Sequence, residues 1–123
     1  MSQQPETTKT ILIVEDDPDI GCVLFHTLSG EGYEIVLATT GQQGLNLAQE
    51  AQPNIFILNY WLPDMNGVEA YDHLHAMEEF KHVPALMISA NLPQQEIAAR
   101  GIVGIEKPFD VDNLLETIKS LIT

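Results

Sequence analysis

The sequence holds a single cysteine, Cys22, so no internal disulfide can form, which suits a reducing compartment. Its neighbours Val23 and Leu24 are apolar, and its thiol is expected to pack as a small buried hydrophobe. Basic side chains are also scarce: five Lys and Arg against 18 Asp and Glu leave a formal net charge of −13. Such a surface repels phosphate backbones and anionic lipid, so direct binding to nucleic acid or membrane is not expected. A basic patch on a protein partner would be steered towards it, although charge of this size also serves solubility alone. No apolar run approaches the ~20 residues needed to cross a bilayer. The opening segment, Met1 to Thr10, is polar with Lys9 its only basic side chain, and it lacks the basic and apolar regions of a secretory signal. A cytoplasmic location is expected. No repeat, low-complexity block or linker interrupts the chain.

What remains is a chain of 123 residues, 45% apolar, long enough for one core. Residues 1–8 read as a frayed polar tail and residues 9–123 as one domain. Apolar runs alternate with helical patterns, which argues for βα units and a parallel sheet. Ile11-Leu12-Ile13-Val14 is an unbroken β-rich run, as expected of a strand covered on both faces. Asp17 is a good N-cap and Pro18 suits a first helical turn. The first helix presents Ile20, Val23, Leu24 and Leu28 inward. Tyr33 to Ala38 reads as strand two, and Thr40 can cap a helix with Leu45, Ala48 and Ala51 inward. Ile55 to Leu58 is strand three, ending at Asn59. Turn chemistry fills Tyr60 to Gly67. The third helix presents Val68, Tyr71, Leu74 and Met77. Pro84 to Ser89 is strand four, a short helix runs from about Pro93 to Arg100, and Ile102 to Ile105 is strand five. Asp110 caps a last helix with Val111, Leu114, Leu115 and Ile118 on its inner stripe, followed by Leu121 or Ile122.

In open parallel sheets, ligands bind beyond the carboxyl ends of the strands. Those ends carry Glu15 and Asp16, Asn59, Ser89 and Lys107. Right-handed crossovers would bring them to one rim. Two acids, an amide, a hydroxyl and an amine suit a divalent cation with a phosphoryl group beside it.

At these residues the chain resembles response-regulator receiver domains of two-component signalling. The resemblance rests on ILIVEDD (Ile11 to Asp17), on Leu62-Pro63-Asp64-Met65-Asn66-Gly67, on Ser89-Ala90 and on Lys107-Pro108-Phe109. It covers about residues 9–122, and four motifs in order at the expected spacing are highly specific. It implies a flavodoxin-like (βα)5 three-layer sandwich with a five-stranded parallel sheet in the order 2-1-3-4-5. It also implies that Glu15, Asp16 and the carbonyl of Trp61 hold Mg²⁺ together with the acceptor position. Ser89 and Lys107 would contact the phosphoryl group, and the Lys107–Pro108 bond would be cis. The partners implied are a histidine kinase, a downstream signalling protein, or a second copy through helix four, strand five and helix five.

Two positions depart from the pattern. The phosphoacceptor position holds Asn59, whose amide has no anionic oxygen to attack phosphorus. One charge at ~4 Å contributes about 4 kcal/mol at an effective dielectric of 20, so Mg²⁺ binding should weaken about tenfold or more. The same loss relieves repulsion with Glu15 and Asp16. The family's switch aromatic, three residues before the lysine, falls on Gly104, and neither Ile102 nor Ile105 can replace it. A phosphorylation-independent interaction module is therefore the leading expectation. The alternative is an ordinary receiver blocked by an Asp-to-Asn change at 59. No activated nucleophile is visible, so an enzyme is not expected. The acidic loop Glu15-Asp16-Asp17 would repel a flavin phosphate. Asp64 is the tempting substitute acceptor, although its place suits turn chemistry. His26 and His82 have no carboxylate or cysteine partner at metal-ligand spacing, while His73 and His75, two apart on a helix, do not face each other and are expected at the surface. Trp61 either covers the site loop or, if exposed, anchors a partner.

Overall fold

The computed structural model describes residues 8–122. The expected polar tail thus lies outside the described residues except for Thr8. In chain order the elements are β1 (Thr10–Val14), α1 (Pro18–Gly30), β2 (Glu34–Ala38), α2 (Gly41–Ala51) and β3 (Ile55–Asn59). Then follow α3 (Gly67–His75), a 3₁₀ turn (Glu78–Phe80), β4 (Ala85–Ser89), α4 (Gln94–Arg100), β5 (Val103–Glu106) and α5 (Val111–Ile122). The five strands are all parallel and lie in the order β2-β1-β3-β4-β5, as the resemblance implied.

The unbroken apolar strands are explained by two cores, one on each face of the sheet. On one face Leu12, Val14, Phe56 and Leu58 meet Ala48 of α2, Val68 and Leu74 of α3, and Ile97 of α4. On the other, Ile11, Ile13, Ile55 and Ile57 meet Leu24 and Leu28 of α1 and Leu114 and Ile118 of α5. Successive strand residues therefore feed opposite cores. Full burial of each such side chain contributes about 1.5–3 kcal/mol.

The caps tie the loops to the helices. Asp17 accepts from the N–H groups of Asp19 and Ile20, and Thr40 accepts from Gln43, both as expected. Asn66 and Glu69 form a capping box that opens α3, a signal legible as Asn-x-x-Glu but not recognised in the sequence.

Several expectations are corrected. Cys22 is exposed rather than buried, and Val23 is 49% exposed. The inner stripe of α1 runs instead through Gly21, Leu24 and Leu28. Gly21 packs beneath Leu37, where a Cβ would touch at 3.5 Å, and residues 22 and 23 lie on the outer side of the helix. Val111 is 38% exposed because it sits in the first turn, ahead of the buried Leu114 and Ile118. His75 is half-buried rather than at the surface. Its ring stacks on Tyr71 one turn earlier, with centroids 4.0 Å apart, and its Nε2 lies 2.8 Å from the carbonyl oxygen of Val83. Tyr33 belongs to the turn that closes α1, since its N–H donates to the Leu28 carbonyl. Strand β5 starts one residue later than expected, after the left-handed Gly101 has ended α4.

Candidate functional site

Four strands, β1, β3, β4 and β5, end at one rim, and their register sets the site. Val14 of β1 pairs with Leu58 of β3, Asn59 with Ile88 of β4, and Ser89 with Glu106 of β5. The residues just past these ends are therefore neighbours: Glu15 and Asp16, Asn59 itself, Ser89, and Lys107. Glu15 is held down by its own backbone, whose N–H donates to the Ala38 carbonyl of β2. Lys107 is held by its N–H donating to the carbonyl of Ser89 at 3.0 Å.

Asn59 is buried, with 6% of its surface exposed, and its amide is the centre of the network. Its Nδ2 lies 3.2 Å from Glu15 Oε2, 3.2 Å from Asp16 Oδ1 and 2.7 Å from the carbonyl oxygen of Trp61. Its Oδ1 faces the Lys107 ammonium at 3.4 Å, a long contact. Lys107 Nζ also stands 3.4 Å from Glu15 Oε1. Glu15 Oε2 accepts further from the Asp17 N–H at 3.1 Å. Burial pushes the Glu15 carboxyl above the usual Glu range. The Asp17 N–H and the Lys107 ammonium oppose that push, and Asp16 adds to it.

Five of the six expected positions thus meet: Glu15, Asp16, Asn59, the Trp61 carbonyl and Lys107. Ser89 is buried at the same rim, but its hydroxyl meets only the carbonyl of Asn91, at the 3.5 Å limit. The Trp61 ring lies against its own loop with most of its surface open. It is 65% exposed and stacks edge-on against Tyr60, with centroids 4.8 Å apart. The Lys107–Pro108 bond is cis. Gly104 stands where no ring could enter unaided: a Cβ there would lie 2.8 Å from Leu92 and 2.8 Å from Ile97.

Asp64 has a structural task that its sequence spacing did not reveal. Its two carboxylate oxygens accept from the N–H groups of Gly41 and Gln42, at 2.8 and 2.9 Å, across the start of α2. These bonds hold its carboxyl below the usual Asp range. They also fasten the β3–α3 loop, and with it Trp61, to the neighbouring helix.

The donor set does not fit a divalent cation as it stands. Two carboxylates and one carbonyl converge, but they converge on an N–H₂ group, which cannot be a metal ligand. Among the described residues no three His, Cys, Asp or Glu side chains gather into a metal-binding group. An aspartate at 59 would supply the third carboxylate.

Residues 11–119 match the family described as the response regulator receiver domain. The polar-differentiation response regulator DivK of Brucella ovis is 33% identical over 118 residues, covering 92% of this chain and 95% of its own. Among solved structures, the chemotaxis protein CheY4 of Vibrio cholerae superposes with a TM-score of 0.87 at 31% identity, covering 94% of this chain and 99% of its own. The receiver domain of the sensor histidine kinase PA1611 of Pseudomonas aeruginosa, solved with a magnesium ion coordinated in its active-site cleft, gives 0.86 at 25% identity, covering 94% and 98%. The sheet order, the rim of two acids and a lysine, and these likenesses agree, and the chain belongs to the response regulator receiver domain family of two-component signalling.

Proposed function

We propose that this chain is a receiver domain that signals through protein contact without a phosphoryl group on residue 59. It works in the cytoplasm and is not an enzyme. The observation that carries the reading is the Asn59 amide, which donates to Glu15, Asp16 and the Trp61 carbonyl where a receiver needs a nucleophilic carboxylate. An amide nitrogen, its lone pair delocalised, forms no acyl phosphate. Magnesium binding is weakened, because Glu15 and Asp16 are the carboxylates that remain at the site and the Asn59 N–H₂ group stands against both. Ser89 and Lys107 keep the family's phosphoryl-contact positions but do not use them for a phosphoryl group. Residues 9–123 act as one unit.

The partner is a histidine kinase, a downstream signalling protein or a second copy. The face of α4, β5 and α5 is the candidate surface. A cavity of about 480 Å³ opens there, lined by Ile97, Gly104, Glu106, Phe109 and Asn113. Neither nucleic acid nor membrane is a partner, given the net charge of −13. No described helix is long and apolar enough to cross a membrane.

A second reading is a phospho-switchable receiver blocked by the amide. It is favoured by the retained placement of Glu15, Asp16 and Lys107 around position 59. Incubating the wild-type and Asn59→Asp chains with a small phosphodonor, followed by intact-mass measurement, separates the two. The first reading expects no added phosphoryl mass on the wild type, and partner affinity that Asn59→Asp phosphorylation leaves unchanged. A phosphorylated variant whose partner affinity then changes establishes the second. A phosphoryl group found on residue 59 of the unaltered chain overturns both.

A further inference from the structure

The Asn59 side chain does more than omit a charge. One nitrogen with two hydrogens faces three oxygens, at 3.2, 3.2 and 2.7 Å, two from the β1–α1 loop and one from the β3–α3 loop. The orientation of the amide is dictated by its surroundings. Turned over, it would set Oδ1 against the same three acceptors and Nδ2 against the Lys107 ammonium, replacing attraction by repulsion at every contact. The buried side-chain polar atoms described all have partners, so the pocket is satisfied as built.

We propose that the Asn59 carboxamide, braced by Lys107, is a built-in occupant of the cation position: its N–H groups bind Glu15, Asp16 and the Trp61 carbonyl and exclude a divalent ion by competition. This rests on the reading that residue 59 stands at the former acceptor position. Loss of charge alone would only weaken a metal that still enters beside the amide. Occupation instead requires the metal to break the amide's bonds first. A cation could use Oδ1 only after the amide had turned its nitrogen onto Lys107.

The two mechanisms give opposite answers for Asn59→Ala. If only charge matters, alanine binds Mg²⁺ no better than asparagine, because it also removes a carbonyl ligand. If the amide occupies the site, alanine frees three oxygens and binds Mg²⁺ more tightly. The test titrates Mg²⁺ alone into the full wild-type, Asn59→Ala and Asn59→Asp chains, followed by Trp61 fluorescence and by the shift in melting temperature. The expected order of affinity is aspartate above alanine above wild type, with alanine gaining about tenfold. Alanine binding equally or more weakly than wild type overturns the proposal. A measurement on the unaltered protein decides the matter should the alanine variant not fold. The Asn59 side-chain amide resonances should be protected from hydrogen exchange and unmoved by millimolar Mg²⁺. Resonances that exchange freely, or that shift to saturation with Mg²⁺, overturn it equally. Neither outcome involves a phosphodonor, so this inference can fail while the phosphorylation-independent reading stands, and the reverse.

Discussion

Replacing Asn59 by aspartate tests how this pocket is balanced without metal. The new carboxylate oxygen would stand about where Nδ2 is, 3.2 Å from Glu15 and 3.2 Å from Asp16. Against the buried Glu15, at an effective dielectric of 20, the repulsion is about 5 kcal/mol. Attraction to Lys107, 3.4 Å from the other oxygen, is of the same size and offsets it. Asp16 is exposed, so water reduces its repulsion to about 1 kcal/mol. What nothing offsets is the loss of the N–H donors, whose hydrogen bonds to charged acceptors are worth about 1.5–3 kcal/mol each. With two hydrogens shared among three acceptors, the metal-free variant should lose about 3 kcal/mol. For a domain of this size that lowers the melting temperature by on the order of 10 °C. The assay is urea and thermal unfolding in chelator and again in millimolar Mg²⁺. The deficit should shrink when the metal is added, while the wild-type curve stays where it was. A variant as stable as the wild type in chelator would refute the reasoning, since the amide would then be a spectator among the acids.

Gly67→Ala should cost about 3 kcal/mol, because its Cβ would lie 2.5 Å from the backbone oxygen of Asn59 and 2.9 Å from Met87 Cε. Gly30→Ala, with nothing within 4 Å of its Cβ, is the control, and equal unfolding midpoints for the two would contradict the packing described. Asp64→Ala should cost about 1 kcal/mol near neutral pH by uncapping α2. Because the folded-state pKa of Asp64 is depressed, its contribution is present above the unfolded carboxylate value and is lost as pH falls through the folded value. The gap between wild type and variant should therefore close in acid, and a gap that widens there would show that the carboxylate is not the capping form.

Much of the fold is legible in local patterns. Continuous runs such as Ile55 to Leu58 mark strands that feed two cores, and Asp17 and Thr40 announce their helices because a cap is a bond over two or three residues. The site is legible because each of its groups lies at or just past a strand end, a position that alternation already locates. The inner stripe of α1 is not: Val23 and Leu24 are equally apolar, and it is tertiary packing that puts Leu24 and Leu28 into the core beside Ile20 and leaves Val23 exposed. Nor is the task of Asp64, which reaches two N–H groups more than twenty residues away along the chain.

The sequence alone determined that residue 59 bears no carboxylate and that residue 104 bears no ring, because side-chain identity is a local fact. Tertiary structure decided what takes their place. It turned the Asn59 nitrogen onto three oxygens and its oxygen onto Lys107, and it set Leu92 and Ile97 against Gly104. The direction of an amide and the filling of a gap depend on the charges and volumes that five separate chain segments bring together, and no single segment encodes them.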